Sequence, residues 1–313
     1  MCGRAMPRKL SDYGLNDFLH LRPLTQRYKT LRYRLVDDKY VKMPVQSTEF
    51  ADIVKCIRGK NVIATVAFED PDCLALHLAL LRKYVVLDQV IVFDNSRLEK
   101  TRVVNAEVAN AYHANYVCLP PNPWTGRNGS RSHGIALNWI WHNVLKPGEP
   151  NAFGFVDDDL YAIAPTNPFA PLDKYTYYGD IRVAADRWFL WAGFCFYRFA
   201  SVSDQPLDFG LDWFVGLDTG GANWDVLYKH LPRDTLPARP VEWMSILAGV
   251  DDHQAGIERR GDWIHEVGWT WSIDPVLNYR KRKAVLELLA PHLPANFHLP
   301  CERMSDPRWE PVK

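Results

Sequence analysis

No apolar run in the 313-residue sequence approaches the ~20 residues that cross a bilayer, and Met1-Cys2-Gly3-Arg4 opens without the apolar stretch of a secretory signal. A cytoplasmic protein is therefore expected. The six cysteines, Cys2, Cys56, Cys73, Cys118, Cys195 and Cys301, form no C-x-x-C pair and no dense framework, which fits reduced thiols and gives no support to cysteine-ligated zinc. Net charge is missing as well. The 37 Lys and Arg balance the 37 Asp and Glu, so no global field draws the chain to nucleic acid or to an anionic membrane, and any anion must be held locally. The P-loop pattern G-x-x-x-x-G-K-[ST] does not occur, which counts against an ATPase.

The composition, 47% hydrophobic and 24% charged, is that of an ordinary globular protein with a sizeable core. At this length one large domain or two fused ones are expected. Residues 1–45 are the one skewed segment, with ten basic residues against four acidic, and read as a basic arm or as a solvated extension.

From Asn61 onward strand-like and helix-like runs alternate. Asn61–Phe68 is an apolar, β-branched run of buried-strand type, followed by the capping turn Asp70-Pro71-Asp72 and a helix over Leu74–Tyr84. Asp88–Asp94 is a second buried strand, closed by Asn95 and Ser96. A polar helix over Arg97–His113, a short strand over Ala114–Leu119, a Gly/Ser/Arg-rich turn and a helix from about Ser132 to Leu145 follow. The next strand, Asn151–Val156, runs straight into Asp157-Asp158-Asp159. Such βαβ alternation predicts an α/β fold whose mostly parallel sheet carries helices on both faces and ligands at the carboxyl ends of its strands. After Tyr161 the texture turns aromatic and glycine-rich. Strand-like runs over Tyr175–Val183 and Phe189–Phe199 suggest an α+β part that completes the sheet, before a last helix from Pro275 to about Ala290.

The three aspartates carry the chemistry. In extended chain, side chains two residues apart share a face, so Asp157 and Asp159 can converge on one point while Asp158 turns away. Carboxylates crowded at a sheet end repel one another, and a hard divalent ion resolves this by taking one or two of them together with phosphate oxygens. The competing interpretation is an exposed turn or an acidic helix start.

In this order, the βαβ opening, Val-Ile-Val-Phe-Asp94-Asn-Ser, the helix ending Ala136-Leu137-Asn138 and Phe-Val-Asp157-Asp158-Asp159 resemble the GT-A-fold glycosyltransferases of the family 2-like group. The resemblance implies a GT-A-like, Rossmann-type sheet over about 60–165 and an acceptor half over about 166–275, within a catalytic domain of 46–275 and ahead of a helix and tail over 276–313. It implies that Asp157 and Asp159 hold Mn²⁺ or Mg²⁺ and the donor diphosphate at a D-x-D motif, with Asp158 beside them. Asp94 stands where the family contacts the nucleotide, Glu69 where its first strand lines the pocket, and Arg131, with Arg127 as a rival, where an arginine helps hold the nucleotide. Ile264-His265-Glu266-Val-Gly268 resembles the family's late histidine setting, making His265 a further metal or phosphate contact; a satisfied core histidine is the alternative.

Inverting transfer, the expected course, needs a carboxylate to deprotonate the acceptor hydroxyl. Asp218, in a glycine-flanked turn, is the first candidate and Asp252 the next, although the family's Glu-Asp pair before the acceptor helix is not evident. The twelve tryptophans, with Trp188, Trp191, Trp213, Trp224, Trp263, Trp269 and Trp271 in the later half, suit a carbohydrate acceptor as well as an aromatic core. The function implied is transfer of a sugar from a nucleotide donor, UDP-sugar favoured, to a carbohydrate or other hydroxyl acceptor. Mg²⁺-dependent nucleotidyl or phosphoryl transfer and non-catalytic nucleotide-sugar binding are the rival expectations.

Overall fold

The computed structural model describes residues 10–45, 47–184, 186–212, 216–237, 239–250, 255–267 and 275–300. Three helices come first, α1 (Leu15–Leu19), α2 (Arg22–Val41) and α3 (Phe50–Cys56). The alternating region then runs β1 (Asn61–Ala67), α4 (Pro71–Tyr84), β2 (Gln89–Asp94), α5 (Glu99–Ala111), β3 (Asn115–Cys118) and α6 (Gly129–Ile140). A π turn over Trp141–Leu145 and a short α7 (Lys146–Gly148) lead to β4 (Ala152–Val156) and β5 (Leu160–Ala162). After these come β6 (Tyr177–Ala184), β7 (Arg187–Arg198), β8 (Glu242–Ser245), β9 (Gly256–Arg260), β10 (Trp263–His265) and α8 (Pro275–Leu289).

The main sheet has the order β3-β2-β1-β4-β7-β6. Strands β1 to β4 pair in parallel, and β7 pairs antiparallel with both β4 and β6, so β7 alone runs against the others. The result is a mixed α/β fold with a mostly parallel sheet, consistent with a Rossmann-like arrangement. Apart from Thr65 and the terminal Asn61, Gln89 and Asp94, its central strands β1, β2 and β4 carry no polar residue, because each faces a core on both sides. Val62, Ala64 and Val66 of β1 enter one core with Phe153 and Phe155 of β4, while Ile63 and Ala67 enter the opposite one with Ala152 and Val156. Gly154 interrupts this pattern because a Cβ there would overlap the ring of Phe196 on β7.

Local signals set the helix ends. Asp70 caps α4, its Oδ1 accepting from Cys73 N at 3.1 Å, with Pro71 at the first helical position. Asn128 caps α6 through Arg131 N at 2.9 Å, so that helix starts at Gly129, ahead of the expected Ser132. The second half of α2 is docked on the domain rather than solvated: Tyr40 is buried, Trp124 Nε1 donates to Asp37 Oδ1 at 2.9 Å, and Trp139 Nε1 donates to Met43 O at 2.8 Å.

Strands β5, β10, β9 and β8 form a separate antiparallel sheet that periodicity did not foretell. A third core, with Leu76 and Leu80 of α4, Tyr161 of β5, Ile257, Ile264 and Val285 of α8, joins it to the main body. Beneath the junction, buried His77 donates from Nδ1 to Leu160 O at 2.6 Å, and its Nε2 accepts from Thr65 Oγ1 at 3.0 Å. Burial drives this imidazole down to about 4, against the Leu160 carbonyl and Asp159. The unfolded chain therefore takes up the proton first, and stability should fall by about 3 kcal/mol in total as pH drops from about 6.5 to about 4. His77→Asn keeps an N–H for Leu160 and cannot titrate, so urea unfolding across that range should show a shallower slope than wild type. Parallel slopes would contradict the assignment.

Candidate functional site

Asp157, Asp158 and Asp159 form the turn by which the chain leaves the central strand β4 and enters β5 of the second sheet. Asp157 N still donates to Gly193 O on β7 at 2.9 Å, and Leu160 pairs with His265 on β10. The turn thus spans the gap between the two sheets. The Asp157 and Asp159 side chains keep 23% and 24% of their surface exposed, enough for a ligand to reach them from solvent. Asp158 points elsewhere, its Oδ2 accepting from Phe68 N at the end of β1 at 3.3 Å.

Two histidines face the outer carboxylates. His133 Nε2, from the first turns of α6, lies 3.4 Å from Asp157 Oδ1, and His265 Nε2 lies 3.4 Å from Asp159 Oδ1. On its other side His265 donates from Nδ1 to Glu258 Oε2 at 2.8 Å, and Glu258 also receives Arg260. Trp191 closes this side, its ring 4.7 Å from the His265 ring and beneath the guanidinium of Arg260. Residue 193 must be glycine, since a Cβ would strike both Trp191 and Asp157 Oδ2.

The electrostatics follow from crowding. Burial raises the Asp157 carboxyl, with Asp159 and Asp218 adding to the rise and His133 and His265 opposing it. Burial raises Asp158 furthest, helped by Asp159, Asp157 and Asp70. Burial also acts on Asp159, but His265 and Lys281 outweigh it and hold this carboxyl below its usual range. Burial disfavours charge on His265, yet Asp159 and Glu258 overcome it and lift the imidazole to about 9. Three adjacent carboxylates cannot all ionise, so Asp159 ionises against an imidazolium while its neighbours resist. Asp159 Oδ1 is buried and meets His265 Nε2 at 3.4 Å as an ion pair rather than as a well-aligned hydrogen bond.

That donor set bears on a metal. Among the described residues no group of three His, Cys, Asp or Glu side chains is gathered as a ready metal cage. Two part-exposed carboxylates suit a hard ion of the Mg²⁺ or Mn²⁺ kind, which takes few protein ligands and completes its shell with phosphate and water. His265 as placed is a charged donor, so ligation would require it to give up its Nε2 proton.

The other expected residues divide by position. Asp94 is buried and its carboxylate holds the chain: Oδ1 accepts from Ser96 N at 2.8 Å, and Oδ2 from Tyr116 Oη at 2.7 Å and Asn105 Nδ2 at 3.0 Å. Glu69 has a left-handed backbone, φ 54°, and its Oε1 accepts from Arg97 N at 2.6 Å. Arg131 lies 3.6 Å above the Tyr33 ring and 3.7 Å from Asp37, fastening α2 to α6, whereas Arg127 is exposed. Asp218 is exposed on a loop whose Thr219 Oγ1 donates to Ser130 O at 3.0 Å, tethering it beside α6, and its charge acts on Asp157. Asp252 lies outside the described residues, as do Gly268, Trp213, Trp269 and Trp271. Trp188 and Trp263 belong to the core and Trp224 packs against it; Trp191 is the tryptophan beside the aspartate turn.

Several contributors were not foreseen: His133, Glu258, and Lys281 and Arg282 of α8. Arg282 is wholly buried, joining Glu266 Oε1 at 2.8 Å to Asp70 Oδ2 at 3.2 Å, and Glu266 receives Tyr161 Oη at 2.8 Å. In sequence these two cations sit in the basic run Arg280-Lys281-Arg282-Lys283. The helical spacing of 281 and 282 to Val285 and Leu289 was the available signal, and all four are buried.

No family model and no curated protein matches the chain. Among solved structures, the crystal structure of S. aureus TarS is similar at 16% identity over 46% of this chain and 29% of TarS, with a TM-score of 0.29. A likeness of that extent carries no argument, and the function has to be reasoned from the site itself.

Proposed function

We propose that the chain is a metal-dependent glycosyltransferase of GT-A type that takes a UDP-sugar as donor. The observation that carries this reading is the aspartate turn at the carboxyl end of the central strand, where Asp157 and Asp159 stand part-exposed between two sheets and act on each other electrically. Ligands of parallel α/β sheets collect at this edge. Asp157 and Asp159 would hold Mn²⁺ or Mg²⁺, with His265 joining them on losing its proton. When bound, the ion would neutralise the charge that builds on the departing nucleoside diphosphate.

The chain's own groups supply the rest. Glu69 and Asp94 shape the nucleotide side by fixing the turns after β1 and β2, through Arg97 N and Ser96 N. Glu258 orients His265, and Trp191 offers an apolar wall on which a sugar ring can stack. Asp218, exposed and tethered to the start of α6, is the group assigned to take the acceptor proton.

A thermal-shift series with nucleoside diphosphates, each with and without Mn²⁺, tests the donor assignment, because a ligand that binds only the folded chain raises its midpoint. UDP is expected to act only with the metal, and no response to any diphosphate would remove the proposal. Asp218→Asn should leave UDP affinity unchanged and lower transfer by ~10²–10⁴-fold, the usual worth of a general base. Undiminished turnover in that variant would move the base to another carboxylate.

A further inference from the structure

Helix α2 has two apolar faces, and the fold uses one. Tyr33, Val36 and Tyr40 turn inward onto the core that contains Trp124 and α6. On the opposite side Leu24, Tyr28, Leu31 and Leu35 are 65%, 68%, 59% and 63% exposed. Their spacing of i, i+4, i+7 and i+11 makes one continuous stripe, which exposed Leu21, Leu19 and Leu15 extend towards α1. By helical rotation Arg27 and Arg34 border the stripe on one flank and Arg32 on the other. No Asp or Glu occurs from Phe18 to Val36.

A second copy of the chain is a poor occupant. With Leu21, Tyr28 and Leu35 at a positions and Leu24 and Leu31 at d, the flanking e and g positions hold Arg27, Arg32 and Arg34. A parallel pair would set Arg27 against Arg32 of the other helix, and an antiparallel pair would set Arg27 against Arg34. Like charges meet in either case. An anionic lipid surface meets both features at once, with leucines entering the acyl boundary and long arginine stems reaching back to the phosphates.

We propose that α2, continued by α1, is a lipid-docking face that lays the Leu24-Tyr28-Leu31-Leu35 stripe into the interface of an anionic bilayer. No described helix is long and apolar enough to cross a membrane, so the helix lies along the surface. The chain is neutral overall, and the attraction is confined to this face. None of this depends on the sugar-transfer reading.

Sedimentation of the full chain with phosphatidylcholine vesicles, with and without phosphatidylserine, tests the proposal. Binding is expected to the anionic vesicles, weakening as salt rises. Leu24→Glu with Leu31→Glu should weaken it ~100-fold, and Arg27→Glu with Arg32→Glu at least ~10-fold. Because all four residues are exposed, thermal midpoints of both variants should match wild type, which separates lost docking from lost folding. Absence of vesicle binding overturns the proposal, as does equal binding to neutral vesicles that the arginine variant retains. A dimer in sedimentation velocity that Leu24→Glu with Leu31→Glu dissolves, or capture of an acidic amphipathic peptide, overturns it too when the chain ignores vesicles.

Discussion

Asp157→Asn is expected to lower Mn²⁺-dependent affinity for UDP by at least ~100-fold, or about 2.8 kcal/mol, while leaving the metal-free protein as stable as wild type or more so. The stability half follows from the sign of the shift. Burial, Asp159 and Asp218 raise the folded carboxyl above its unfolded value, so the ionised form weakens the fold at neutral pH, and a side chain that cannot ionise escapes that cost. Asp159→Asn should lose UDP affinity similarly but with the opposite effect on folding. Its carboxyl is held below the ordinary range, chiefly through His265 against burial, so it adds stability above its unfolded pKa that is lost as pH falls through the folded value, and that asparagine forfeits. Calorimetric titration with UDP and Mn²⁺, with melting of the metal-free variants, measures both halves. Unchanged affinity in both variants would end the D-x-D assignment, whereas a merely structural cluster would show itself by destabilisation in both.

The largest loss of stability should come from Arg282→Met. Arg282 is wholly buried between Glu266 and Asp70, which are themselves almost fully enclosed. Removing one member of a buried ion network strands its partners, which costs roughly 3–5 kcal/mol even when the replacement packs well. The damage would reach the site, because Glu266 follows His265 and its backbone N donates to Asp159 O at 3.0 Å. Adding Glu266→Gln to Arg282→Met should recover part of the loss by removing one stranded carboxylate. Guanidinium unfolding gives the comparison, and a loss below about 1 kcal/mol would show that the network contributes little.

How far the sequence reached varied with the range of the interaction. The strands over Asn61–Ala67, Gln89–Asp94 and Ala152–Val156 were legible because burial on both faces forces largely apolar, β-branched or aromatic runs. The Asp70 cap was legible because a cap is a contact three residues long. The charge partners were not. Nothing within a few residues of His133 or Glu258 indicates which charged group each meets, and the run Arg280-Lys281-Arg282-Lys283 gives four cations with no indication of their partners. In the fold, Lys281 and Arg282 turn inward while Arg280 and Lys283 stay exposed. Asp94 shows the converse, a conspicuous acid at a strand end whose oxygens are engaged by Ser96, Asn105 and Tyr116.

By itself the sequence determined the alternation of strand and helix and the delivery of three aspartates at the end of a buried strand, since periodicity, capping and turn chemistry act over a few residues. Only the tertiary structure decided which charges answer those aspartates. Pairing of β10 with β5 brings His265 to Asp159, packing of α6 brings His133 to Asp157, and α8 brings Lys281 and Arg282 beneath. The reason is physical: buried charges are balanced by whatever groups packing places within a few ångströms, and separation along the chain carries little information about that distance.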